Sequence, residues 1–287
     1  MSLSLADRLF VWMQYVLPHH TLSRLVGGLA ASEKPWIKNP LIKWFSQRFG
    51  ISLEEAKIQD PTAFPSFNAF FTRALQEGAR PIDATEQGIV SPADGVVSQC
   101  GQIRGSDVLQ AKGAYFSVYE LLGGDAALAE EFINGHFATI YLSPKDYHRV
   151  HMPISGTLRK ILYVPGRLFS VNNATAEQVP KLFARNERAV CVFDTDAGPV
   201  AVILVGAMIV AAIETVFTGQ ITPLANKVQT IDFSKQPLSR EKGEELGRFL
   251  LGSTVVLLFP ENACQWQPEL AAGSTLKMGQ LIGKTTA

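Results

Sequence analysis

Through the first fifty residues of this 287-residue chain, apolar positions recur at helical spacing. Residues 3–17 carry Leu3, Leu5, Leu9, Phe10, Trp12, Met13, Tyr15, Val16 and Leu17 and stop at Pro18, which predicts a helix with a very wide apolar face. Thr21 can cap a second helix running to Ala31, with Gly27-Gly28 as an interruption. A third, Trp36 to Phe49, sets Trp36, Ile37, Leu41, Trp44, Phe45 and Phe49 against Lys38, Lys43 and Arg48. That pattern suits a helix lying in a membrane interface and equally one packed on a core, because amphipathicity alone does not separate the two. Trp12, Trp36 and Trp44 all fall here, and Trp favours the lipid headgroup level, which tilts the reading toward membrane contact.

Residues 51–89 hold a short acidic helix around Leu53-Glu54-Glu55-Ala56, then Phe67, Phe70 and Phe71 on one face of a helix opening near Ser66. From Gly88 the period changes. Ile89 to Val97 reads as a strand, a Pro-Ala-Asp-Gly turn and another strand, and the shape returns from Met152 to Leu158. A weaker echo pairs Gly243-Glu244-Glu245-Leu246-Gly247 with Gly279-Gln280-Leu281-Ile282-Gly283. Repeated tight corners between short strands predict a β-barrel or sandwich, with a helix expected between them from Tyr115 to Phe132. The fold class is therefore α+β: a helical N-terminal region, residues 1–50, on a barrel- or sandwich-like domain, residues 51–287.

Composition narrows the function. Charged residues are 18% of the chain, below the roughly 25% of an average globular protein, which fits a very large core or a surface that meets lipid. Lys plus Arg equals Asp plus Glu, so no basic excess is available to hold nucleic acid. The longest apolar stretch, Val200 to Ile213, falls short of the roughly 20 residues a membrane-spanning helix needs and reads as two buried strands or a bent one. The N-terminus lacks the basic and apolar regions of a signal peptide. Cys100, Cys191 and Cys264 are odd in number and lack CxxC spacing, the pattern of reduced core thiols in a cytoplasmic protein.

Candidate chemistry gathers at two places. Leu251-Gly252-Ser253-Thr254 precedes the apolar run Val255 to Phe259, which reads as a buried strand. A Ser at the mouth of such a strand, behind a Gly that lets other groups approach the backbone, suits attack on a carbonyl; it also suits an ordinary tight turn. The second place is Tyr147-His148-Arg149-Val150-His151-Met152-Pro153. No third ligand stands at a suitable spacing from His148 and His151, so no metal is expected. A His acting as base for a hydroxyl needs an acid to fix its tautomer, and Asp94 in the Pro-Ala-Asp-Gly turn is a candidate, although Asp before Gly commonly bonds its own backbone.

The chain resembles the bacterial phosphatidylserine decarboxylases, which are pyruvoyl-dependent. The resemblance covers most of the chain and is carried by Phe67-Asn68-Ala69-Phe70-Phe71-Thr72-Arg73, Arg80-Pro81-Ile82, Pro92-Ala93-Asp94-Gly95, the segment Tyr147 to Pro153, Pro165-Gly166-Arg167-Leu168-Phe169-Ser170-Val171-Asn172, Phe183 to Arg188, and Leu251-Gly252-Ser253-Thr254. The first 50 residues match loosely, by amphipathic character more than by sequence.

That resemblance implies a self-processing enzyme. Ser253 Oγ attacks the carbonyl of Gly252, with His151 as base and Asp94 as its orienting acid, and the peptide rearranges to an ester. Elimination frees the Gly252 carboxylate and leaves dehydroalanine, which water hydrolyses to a pyruvoyl group and ammonia, giving a β chain, 1–252, and an α chain that begins at the former Ser253. The pyruvoyl carbonyl condenses with the headgroup amine of phosphatidylserine and accepts the electrons released as carbon dioxide departs, the electron-sink role usually given to pyridoxal phosphate. His148 is implied as proton donor in decarboxylation. Ser170 and Asn172 could hold the headgroup or merely cap a loop. The resemblance places the enzyme on the cytoplasmic face of the bacterial inner membrane, with membrane phospholipid as partner, and a homodimer is compatible with it. Two alternatives remain open at this level: a pyruvoyl decarboxylase of a soluble amine, and a non-catalytic barrel-sandwich carrier module.

Overall fold

Ser253–Phe259 forms a central strand of a nine-stranded sheet in which every pair is antiparallel. A computed structural model describes residues 5–111, 113–208, 212–221, 226–250 and 253–286, with the side chains of residues 5–7, 173, 174 and 253 outside that description. On one side of the central strand lie Gly198–Gly206, Arg188–Thr195 and Gly156–Val164, the last flanked by Gln229–Asp232 and Leu238–Arg240. On the other lie His136–Leu142, Gly95–Gln102 and Thr275–Leu276. The apolar run of the central strand is explained by burial on both faces. Val255, Leu257 and Phe259 enter one core, whereas Val256 and Leu258 enter another. Each such side chain stabilises the fold by about 1.5–3 kcal/mol relative to exposure.

The first core is closed by two smaller sheets. One comprises Gly219–Gln220, Ile213–Thr215, Glu245–Phe249 and Arg149–His151; the other comprises Gly88–Val90, Leu281–Thr285 and Cys264–Trp266. The second core is covered by the hairpin Asp107–Ala111 and Ala114–Ser117 together with short helices. The arrangement is sandwich-like, and no sheet closes into a barrel among the described residues. The two glycine echoes are a real repeat: Gly243 and Gly279 both adopt φ near +87° and +86° at corners that feed strands Glu245–Phe249 and Leu281–Thr285. A Cβ at Gly279 would lie 2.5 Å from the Pro81 carbonyl oxygen, so that corner tolerates only glycine.

The N-terminal region forms α1 (Leu5–Val16), α2 (His19–Ala30) and α3 (Pro35–Phe49), followed by the short α4 (Phe67–Phe71). Helix α4 opens as expected, with Ser66 Oγ accepting the Ala69 amide at 3.2 Å. Three expectations are corrected. Helix α2 begins at His19 without a side-chain cap, because Pro18 ends α1 and leads straight into it, and Gly27-Gly28 continue the helix. Tyr115 to Phe132 is not one helix: Gly123 and Gly124, at φ +75° and +88°, separate Val118–Leu121 from Ala126–Glu130, each capped by its own side chain. Helix α3 does not set apolar residues inward against basic ones outward. Lys38 is buried, its ammonium donating to the Thr62 and Phe64 carbonyls at 2.7 Å each, while Ile42 and Phe45 face a small core with Phe64, Phe67, Phe70 and Phe71. Trp36 and Trp44 are 71% and 57% exposed. No described helix is long and apolar enough to cross a membrane.

Candidate active site

Two antiparallel pairs of strands bracket the region: Arg149–His151 with Glu245–Phe249, and His136–Leu142 with Ser253–Phe259. Glu245 stands opposite His151 and Arg248 opposite Arg149; the Phe249 amide donates to the His148 carbonyl at 3.1 Å; Ser253 stands opposite Leu142 and Phe259 opposite His136. The loop from Ser143 to His148 joins the first strands of those two pairs, as residues 250–252 join the second. Leu251, Gly252 and the Ser253 side chain lie outside the described residues. The Ser253 backbone is the first position of the central strand, paired on its other side with Gly206.

The loop is held from both ends. Asp146 accepts from the Ser143 amide and hydroxyl at 2.7 Å each, and Arg73 donates to the Lys145 carbonyl at 3.0 Å. Arg149 reaches back to the Thr72 carbonyl at 2.9 Å and pairs with Glu245 at 2.7 Å. The segment Phe67–Arg73 is thus the support on which the histidine loop is built. Its Phe71 ring lies 4.0 Å, centroid to centroid, from the ring of His148. His148 is fully buried and donates from Nδ1 to the Asp146 carbonyl at 2.8 Å, which leaves Nε2 a bare acceptor without a partner among the described residues. Burial pushes its pKa down to about 3, so the ring is neutral at ordinary pH.

His151 is positioned by a backbone carbonyl. Its Nδ1 donates to the Gly243 carbonyl at 2.8 Å, and its Nε2 accepts from the Tyr147 hydroxyl at 3.0 Å. Burial, outweighing the Gly243 bond, holds its pKa below the ordinary histidine value. Asp94 sits in the same corner, since the His151 amide donates to the carbonyl of Pro92 at 2.8 Å, but its carboxylate is directed elsewhere. Arg80 donates to both oxygens, at 2.9 Å to Oδ1 and 2.6 Å to Oδ2, and the Met278 amide donates to Oδ1 at 2.8 Å. The expected Asp94–His151 hydrogen bond is replaced in this structure by Gly243 on one side and Arg80 on the other. Burial alone would raise the Asp94 pKa; the Arg80 and Met278 bonds overcome it and leave the carboxyl below its usual range.

Ser170 and Asn172 part company. Asn172 Oδ1 accepts the Thr175 amide at 3.1 Å and caps the helix Asn173–Gln178. It also borders a cleft of about 660 Å³ with Tyr141, Val96, Ala176 and Glu177. Tyr141 stands opposite Thr254, whose buried hydroxyl has no partner among the described residues, so the cleft adjoins the head of the central strand. Ser170 does not border that cleft; its amide donates to Gln14 Oε1 at 2.7 Å. Sequence reasoning gave no role to Arg80, Tyr147 or Gly243. Arg80 and Tyr147 stand inside motifs already singled out, but a contact across 14 or 92 positions has no local signature.

A family model described as phosphatidylserine decarboxylase matches residues 67–284, and a second, described as PSD, matches residues 9–50. A protein of Alcanivorax borkumensis named phosphatidylserine decarboxylase proenzyme is 63% identical over 286 residues, 99% of this chain and 98% of the relative. A protein of the same name from Pseudomonas fluorescens (strain Pf-5) is 57% identical over 279 residues, 96% of this chain and 97% of the relative. One from Stutzerimonas stutzeri is 56% identical over 281 residues, 97% of this chain and 95% of the relative. The chain is an enzyme of the carboxy-lyase class, which sets aside the carrier reading. It belongs to the phosphatidylserine decarboxylase family.

Proposed function

We propose that the chain is made as a precursor, cleaves itself between Gly252 and Ser253, and then decarboxylates phosphatidylserine to phosphatidylethanolamine at the membrane surface. The observation that supports the reading is the pairing of Arg149–His151 with Glu245–Phe249 and of His136–Leu142 with Ser253–Phe259. The loop bearing Tyr147 and His148 and the cleavage segment each link the same two strand pairs, and His151 lies in one of them. His151 is neutral and carries its proton on Nδ1, so Nε2 has the lone pair a base needs to take the Ser253 hydroxyl proton. Asp94 and Arg80 fix the corner from which His151 hangs. The pyruvoyl group left at position 253 supplies a carbonyl that binds the headgroup amine and takes up the electrons released with carbon dioxide. The surroundings fit such a group: the position begins a strand buried on both faces, and His148, in the loop that follows the strand paired with it, holds an Nε2 with no partner among the described residues. His148 is the proton donor in decarboxylation: its bare Nε2 takes up a proton that the headgroup ammonium gives up on condensing, and returns it to the carbon that carbon dioxide leaves. Asn172, at the rim of the adjoining cleft, is a headgroup contact.

An exposed apolar face favours the lipid over a soluble amine as substrate. Trp12, Leu25, Leu29, Trp36 and Trp44 are all more than half exposed, on three consecutive helices. Exposed apolar side chains of that size suit the headgroup region of a bilayer, and residues 1–50 act as the membrane-associating part. The enzyme would be peripheral, on the cytoplasmic face. Intact mass of the purified protein tests the core of the proposal, because two chains with the smaller blocked at its N-terminus by a pyruvoyl group are expected. A single uncleaved chain, or cleaved protein that releases no carbon dioxide from phosphatidylserine vesicles, overturns it.

A further inference from the structure

The inner face of the N-terminal helices is as specific as the outer face is apolar. Gln14 and His19 are both buried beneath it. Gln14 Oε1 accepts the Ser170 amide at 2.7 Å; His19 Nδ1 accepts the Leu168 amide at 3.3 Å and its Nε2 donates to the Gln14 carbonyl at 2.5 Å. His20, exposed, donates to the Gly166 carbonyl at 3.0 Å. Rings reinforce the contact: Tyr15 lies 5.0 Å and His19 5.1 Å from Phe169, centroid to centroid, and the Arg185 guanidinium stands 5.2 Å from the Phe169 ring. Packing a helix on a core needs only apolar side chains, yet here two buried polar side chains are committed to backbone amides of one loop, residues 166–170.

That loop leads inward. The fully buried Asn186 side chain binds Phe169 in both directions, accepting its amide at 3.1 Å and donating to its carbonyl at 2.8 Å, and also donates to the Gly206 carbonyl at 2.9 Å. Gly206 is the strand partner of Ser253. Three hydrogen-bonded steps therefore connect the lipid-facing helices to the head of the central strand: Gln14 and His19 to the loop, Phe169 to Asn186, and Asn186 to Gly206.

We propose that Gln14 and His19 are positioning residues for the lipid substrate: by holding the loop 166–170 they fix the chain that leads, two residues on, to Asn172 at the rim of the cleft, so that a phosphatidylserine molecule met by the helices finds its headgroup contact in place. This rests on the function proposed above. Neither residue touches the reacting atoms, so neither is needed for self-cleavage or for the chemical step. Their loss leaves the loop with unpaired buried amides and free to shift, which weakens binding of the headgroup while the proton-handling groups stay in place.

The test uses the full-length, self-processed enzyme with Gln14→Leu and His19→Leu, which keep the apolar bulk and remove the acceptors. On short-chain phosphatidylserine below its micelle concentration, each variant is expected to raise KM by about fivefold, the size of one lost hydrogen bond, with kcat within about twofold of the parent. Cleavage and vesicle binding should match the parent. An unchanged KM, or a loss confined to kcat, overturns the proposal. Should a variant fail to fold, amide exchange on the unmodified enzyme decides: slow exchange at Leu168 and Ser170 supports the clamp, and exchange at free-loop rates overturns it. A parent enzyme that does not decarboxylate the lipid refutes the proposed function, whereas an active parent with unaffected variants refutes this inference alone.

Discussion

The hydroxyl of Tyr147 lies 3.0 Å from Nε2 of His151, so the lone pair that would deprotonate Ser253 already receives a hydrogen bond. Donation to the neutral ring favours the neutral form and opposes protonation, in the same direction as burial. In Tyr147→Phe that donor is gone. The acid limb of the self-cleavage rate is expected to move to higher pH by about 0.5–1 unit, the equivalent of one hydrogen bond of about 1 kcal/mol. Quenched time courses of precursor on denaturing gels across pH measure it. A limb that stays in place removes Tyr147 from the control of His151.

Arg80 decides what Asp94 can do. The two side chains are buried together, 6% and 4% exposed, and the carboxylate has no direct bond to His151. Asp94→Asn and Arg80→Met should therefore slow cleavage by similar factors, since each loosens the same corner. Either change leaves its partner charge buried, at a cost of about 3–5 kcal/mol in stability. The Asp94 carboxyl is held below its unfolded value, so its stabilisation is complete above about pH 4 and is lost as pH falls through the folded value. Urea unfolding from pH 2 to pH 6 should show that acid loss in the parent and a flatter profile in Asp94→Asn. If Asp94→Asn alone stops cleavage and Arg80→Met does not, Asp94 acts on His151 directly.

The outward Trp residues give a third expectation. Trp12→Ala combined with Trp44→Ala removes two large side chains from the exposed face, and neither is in the cores. Burial of one such side chain is worth about 1.5–3 kcal/mol, so partition onto phosphatidylserine-containing vesicles should weaken at least tenfold. Thermal stability should be unchanged. Sedimentation with vesicles reads the first quantity and a thermal melt the second; undiminished sedimentation would place the lipid contact elsewhere.

Elements and site differ in how far the sequence discloses them. The central strand was legible in Val255 to Phe259 because burial on both faces leaves no room for polar residues, and the paired corners were legible because Gly243 and Gly279 alone accept positive φ there. The break at Gly123-Gly124 was visible in the same terms, yet helical spacing around it masked the hairpin strand Ala114–Ser117. Lys38 could not be foreseen as buried, because its partners are carbonyls at 62 and 64. At the candidate site, residue types pointed to the histidine loop and the serine strand, but not to the wiring around them. Gly243 contributes a carbonyl, which every residue has, and so leaves no trace in composition or spacing. Asp94 likewise has a choice of cation or imidazole that only the packed corner makes.

His148 supplies the last expectation, and its sign follows from burial. With a folded pKa of about 3 against about 6.5 unfolded, the unfolded chain binds a proton that the native chain refuses between those values. Stability attached to keeping this ring neutral is present above about pH 6.5 and is lost steadily as pH falls toward 3. His151, also depressed, adds to the same limb. His148→Gln carries no titrating group, so its unfolding midpoint should vary less with pH over that window than the parent's. The same variant separates the two chemistries proposed for the site: with His151 as the proposed base for Ser253, cleavage should proceed without the His148 ring, whereas carbon dioxide release should fall by about 100-fold or more, the usual contribution of a positioned proton-transfer group. Measured on one preparation, normal cleavage with lost decarboxylation assigns the bare Nε2 to the lipid reaction; normal turnover would leave His148 as a packing residue against Phe71.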